Sequence, residues 1–182
     1  MDHHEHLVSI GSVPADMEAF VALRDRLAHT PEGGAAMFVV ALLMYAEDAT
    51  LGMAALTVAI DREHLQEGTG GYKGLVPGRA DVQAFTERNG GKPHIARSYL
   101  VGTSPEHGYA LPSGPLTVRV RDQQVPGESV GDVAKRFVHC SGADSPRPIG
   151  LRRNNRGLFK ATSWSSLQVG VRAPVETVDD DL

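Results

Sequence analysis

The chain has 182 residues, enough for one domain with a real hydrophobic core. A single cysteine, Cys140, excludes an internal disulfide, and the longest apolar run, residues 35–46, is too short to span a bilayer. The net charge of −4 is unevenly spread: residues 1–92 carry 7 Lys/Arg against 13 Asp/Glu, and residues 93–175 carry 11 against 5. Such halves suit docking on a second copy or an acidic partner, whereas scattered cations and few aromatics argue against nucleic acid.

Residues 1–11 are polar, with His3, His4 and His6 and no other ligand nearby, so a flexible start without a metal site is expected. It has no basic segment before an apolar core, so no secretory signal is expected, and one thiol fits a reducing cytoplasm. Pro14-Ala15-Asp16 opens a first helix, with Phe20, Leu23 and Leu27 on one stripe. Thr30-Pro31-Glu32 combines an N-cap, a proline at the first position and an acid on the positive dipole end. The helix it starts runs to about residue 46 and is apolar all round, so it should be central. Gly33 and Gly34 lower its propensity. Residues 47–50 recap the chain into a third helix over residues 51–60.

Residues 68–74 are glycine-dense and read as a mobile surface loop. They do not match a phosphate loop, because no Ser or Thr follows Lys73. A fourth helix over residues 80–88 ends at Asn89-Gly90-Gly91. The pattern then changes to strands. Residues 94–101 read as one, with Ile95, Arg97, Tyr99 and Val101 on one face, and residues 116–121 alternate as another. A polar loop over residues 123–132 precedes a strand over 134–140. In the loop over residues 141–148, Arg147 lies between two prolines and is expected to pair with Asp144. Strands over 149–153 and 158–164 flank an Asn-rich hairpin turn, residues 167–172 continue extended, and 175–182 form an acidic solvated tail.

Four runs resemble an uncharacterised bacterial domain family of unknown function. They are Arg97-Ser98-Tyr99, Pro105-Glu106-His107-Gly108-Tyr109, the loop from Gly142 to Pro148, and Ser165-Ser166-Leu167 with Gly170-Val171-Arg172. The resemblance spans residues 12–174 and implies a bacterial origin and a single domain. It supplies no catalytic residue.

The expected fold is α+β: three to four N-terminal helices packed on a C-terminal antiparallel sheet of four to six strands. No catalytic constellation emerges. His139 and Cys140 are adjacent on a strand and point to opposite faces. Candidate binding residues are Arg97, Tyr99, Tyr109, Asp144, Arg147, Arg152 and Trp164, with Arg97, Arg147, Arg152 and Arg153 as a candidate anion site. The leading expectation is a non-enzymatic binding or self-assembling protein of the bacterial cytoplasm, a homo-oligomer or a protein partner. The alternative is a small-molecule or anion-binding domain, enzyme or not, with a pocket between helices and sheet. No cofactor is expected.

Overall fold

The computed structural model describes residues 4–122 and 131–176. His3, most of the expected polar loop (123–130) and most of the acidic tail (177–182) lie outside the described residues.

The helical layer forms where the capping signals stand. Asp16 accepts a hydrogen bond from the Ala19 N–H at 2.8 Å and starts α1, Met17–Leu27, which buries Phe20 and Leu23. The Thr30 hydroxyl accepts from the Gly33 N–H at 3.1 Å and starts α2, Pro31–Glu47. Asp48 caps both α2 and α3, Ala49–Ala59, its carboxylate accepting from Thr50 and Leu51 N–H at 3.0 and 3.1 Å. One residue therefore reverses the chain between two apolar helices. α2 is buried from Gly33 to Tyr45 and lies across the whole large sheet. Its second glycine has a steric reason: a Cβ on Gly34 would lie 2.7 Å from the Phe159 Cβ of the sheet. At Gly52 a Cβ would lie 2.0 Å from the Tyr45 Cα, so α2 and α3 cross at backbone contact.

The large sheet is antiparallel throughout, in the order β1 (Glu5–Gly11), β4 (Leu116–Arg121), β5 (Val133–Val138), β6 (Arg147–Arg153), β7 (Phe159–Ser163). In β4, Leu116, Val118 and Val120 are buried, and Thr117, Arg119 and Arg121 are half-exposed on the other face. That alternation is what a sheet with one covered face requires. The architecture is the expected α+β class, with the helices mostly N-terminal and the sheet mostly C-terminal.

Four segments differ from the sequence reading. Residues 5–11, expected in a flexible start, are the edge strand β1, which pairs with β4 from Glu5↔Arg121 to Gly11↔Leu116. His6, Val8 and Ile10 alternate toward α2, and Ile10 is only 2% exposed, but the histidine disguises the period. Residues 68–74 belong to a two-stranded hairpin, β2 (Leu65–Tyr72) and β3 (Leu75–Pro77), which turns through Lys73 and Gly74 at positive φ. α4, Arg79–Asn89, follows as expected and buries Phe85.

The expected strand over residues 94–101 is a short helix, α5 (Pro93–Arg97), followed by a turn in which Leu100 bridges Val118. Pro93 presets the first helical turn. Ile95, Ala96, Tyr99 and Leu100 are then buried together at i, i+1, i+4 and i+5, which is a helical and not an alternating period. Last, the expected extended run over 167–172 is a 3-10 turn, Ser165–Gln168, with irregular chain beyond it.

Candidate functional site

Three of the residues singled out in the sequence, Tyr99, Tyr109 and Arg147, do converge, but on the chain's own backbone. The Tyr99 hydroxyl donates to the Leu167 carbonyl at 2.6 Å, Arg147 Nη2 donates to the Gly170 carbonyl at 2.8 Å, and the Tyr109 hydroxyl donates to the Arg172 carbonyl at 2.5 Å. The Arg172 N–H in turn donates to the Gly142 carbonyl at 2.9 Å. Gln168 donates to Asn89 of α4 at 2.8 Å, with both side chains buried. These bonds fasten residues 167–172, which pair with no strand among the described residues, and satisfy three of their carbonyls. Burial, and secondarily the nearby Cys140 thiol, pushes both tyrosine pKa values upward, so both hydroxyls stay protonated donors.

Asp144 pairs with Arg172, not with Arg147 as expected. Arg147, mounted on β6, reaches the irregular segment instead. The four-arginine anion site does not form either. Arg152 is bound to Glu63 at 2.7 Å, and Arg153 is bound to Asp132 at 2.7 Å. Arg97 is half-buried at the end of α5, where its carbonyl accepts from the Thr103 hydroxyl at 2.9 Å. Trp164 is core: it stacks on Phe85 at 6.2 Å and 9°, with Phe38 at 5.8 Å and the edge of His64 at 5.1 Å. Cys140 is buried, its sulfur 3.3 Å from the Ser98 hydroxyl. His94 and His139 both have pKa values lowered chiefly by burial, the second also by Arg119.

An open cleft of about 740 Å³ lies elsewhere, between α1, the end of α3, the β2–β3 hairpin and β7. Arg24, Arg62, Lys73, Arg156 and Lys160 line it, against one acid, Glu67, and Val21, Leu65, Tyr72 and Leu75 supply apolar wall. Lys160 is half-buried on β7, and its amine donates to the carbonyl of Val58 in the last turn of α3. Burial, then the Arg24 guanidinium, lower the Lys160 pKa to about 8, against weaker opposing effects of Asp25 and Asp61. Sequence reasoning missed this site because its cations come from five separate segments, none with a local motif. The one available signal is Lys73 at the tip of the glycine-dense stretch.

A second, smaller polar cluster joins β1 to the core. His6 Nε2 lies 3.0 Å from the buried Asp122 carboxylate, and its Nδ1 lies 3.7 Å from Glu32, which also faces Arg136 at 3.6 Å. Among the described residues no group of three or more His, Cys, Asp or Glu could hold a metal ion, and no helix is long and apolar enough to cross a membrane.

The chain belongs to the family described as Domain of unknown function (DUF6935), whose model matches residues 12–175. No curated protein and no solved structure matches it. Strand β1 precedes the matched region.

Proposed function

We propose that this member of the DUF6935 family binds a small anionic molecule in the cleft between α1, α3 and the β2–β3 hairpin. The observation that carries this reading is the lining: five cationic side chains against one carboxylate, on a chain whose net charge is −4. Cations gathered in a concavity against the overall charge focus the local field on an anion. The volume falls within the roughly 300–1,000 Å³ typical of small-molecule sites. Guanidinium forks at Arg62 and Arg156 suit phosphate or carboxylate oxygens, and the apolar wall suits an uncharged body. This is the small-molecule alternative of the sequence reading, carried by other residues. The lone buried thiol supports a cytoplasmic location.

The test is thermal denaturation with added inorganic pyrophosphate at matched ionic strength, for the wild type and an Arg62→Glu/Arg156→Glu double variant. Both positions are exposed, so the variant should fold normally. Saturation at about one hundred times Kd stabilises by about 2.7 kcal/mol, which is roughly 5–10 °C for a chain of this length. The reading fails if the wild type does not shift, or if the double variant shifts equally.

A second reading, self-assembly, is favoured by exposed apolar side chains on the sheet face turned away from α2. Leu7 is 65% exposed and Val133 70%, beside Arg119, Arg121 and Lys135. Light scattering at two salt concentrations decides it: a monomer at both ends that reading.

A further inference from the structure

The cleft contains a lysine whose surroundings are unusual for a purely electrostatic contact. Lys160 takes part in none of the ion pairs found among the described residues. Lys160 lines the cleft with its amine held by a single carbonyl, beside Arg24 on the neighbouring helix, which is itself paired with Asp25 at 2.8 Å. A cation placed only to attract an anion would gain from a solvated rim position, as the exposed Arg62 and Arg156 have. Lys160 sits deeper, where burial and a like charge both favour the uncharged form.

We infer that Lys160 forms an imine with a small aldehyde or ketone that also carries a phosphate or carboxylate group, the anionic group resting on the cationic rim. This rests on the anion-binding reading above. The uncharged amine attacks the carbonyl carbon and a C–N bond forms. The carbonyl oxygen then leaves as water, taking the two amine hydrogens, and no oxidant or reductant is consumed. Protonation of the imine restores an N–H that can donate to the Val58 carbonyl. That carbonyl lies in the last turn of α3.

The charged groups around the amine are Arg24 and Asp25 on α1, Asp61 and Arg62 after α3, Lys73 and Glu67 on the hairpin, and Arg156 before β7. With its pKa at about 8, roughly a tenth of Lys160 is uncharged at pH 7, against about one part in three thousand for an ordinary lysine. Lower intrinsic nucleophilicity offsets part of that advantage, as it does for low-pKa thiols.

The chain has only four lysines, Lys73, Lys92, Lys135 and Lys160, so the experiment is direct. The full chain is incubated at pH 7 with pyridoxal 5′-phosphate, reduced with borohydride, and digested for peptide mass spectrometry. Lys160 is expected to carry at least about ten times the label of Lys92 or Lys135. Pyridoxal, which lacks the phosphate, should label it about tenfold less, and the Arg62→Glu/Arg156→Glu variant should lose the phosphate advantage. Labelling of Lys160 in the wild type should rise with a midpoint near pH 8, a readout independent of any variant. Label spread evenly over the four lysines, or concentrated on Lys73, overturns the inference. If pyrophosphate still stabilises the protein in that case, only the imine is wrong. If it does not, the anion site is wrong as well.

Discussion

Replacing Tyr99 by Phe removes one hydroxyl and tests whether the C-terminal segment is fastened as described. Tyr99 is 1% exposed, and Leu167, whose carbonyl accepts its hydrogen bond at 2.6 Å, is fully buried. The ring stays in place, so packing is kept, but the carbonyl loses its partner where water does not replace it. A typical buried hydrogen bond nets about 0.5–1.5 kcal/mol, and an orphaned acceptor costs about 1–3 kcal/mol. The second figure applies here, and a loss of that size lowers Tm by roughly 2–12 °C. Arg147→Ala is the internal comparison. It also removes a bond to a segment carbonyl, but Gly170 is exposed and water can take over, so the loss should be the smaller of the two, about 0.5–1 kcal/mol.

The Tyr99 pKa adds a pH signature. Its folded value is raised, so above pH 10 the unfolded chain releases a proton that the folded chain keeps. Tyrosine's contribution is therefore complete below pH 10 and is lost as pH rises, at about 1.4 kcal/mol per unit for one proton. The wild type should lose stability above pH 10 more steeply than Tyr99→Phe. Urea denaturation at pH 7 and at several points above pH 10 measures both effects. Equal stability of the two proteins at pH 7, or parallel slopes above pH 10, would refute the fastening argument.

Two further outcomes are expected. Ile10→Ala, in the strand that looks like a flexible terminus, should cost about 2–5 kcal/mol, because it empties a buried site between β1 and α2. A loss under 0.5 kcal/mol in chemical denaturation would mean β1 is not docked. Lys160 has a folded pKa of about 8 against the ordinary 10.5, so between those values the unfolded chain binds more protons. The wild type should therefore gain stability relative to Lys160→Met as pH rises from about 8 toward 10.5, and a flat difference across that window would show an ordinary lysine.

Local signals decided much of this protein. Thr30-Pro31-Glu32, Asp16 and Asp48 place the helix starts because a cap acts within one turn, on its own backbone. The apolar length of α2 and the alternation from Leu116 to Arg121 place the core helix and a half-covered strand, because burial selects period 3.6 or period 2 directly from side-chain chemistry. From these the α+β class follows. Tertiary structure alone decided the rest. β1 became a strand because β4 was there to pair with it, and residues 94–101 became helical because their buried positions face one side. Tyr99, Tyr109 and Arg147 were recognisable as special, but only the return of residues 167–172 across them shows that they hold the chain itself. The cationic cleft was invisible for the same reason: Arg24 and Lys160 are 136 positions apart, and no local rule joins residues that meet only after a helix, a hairpin and a sheet edge have packed.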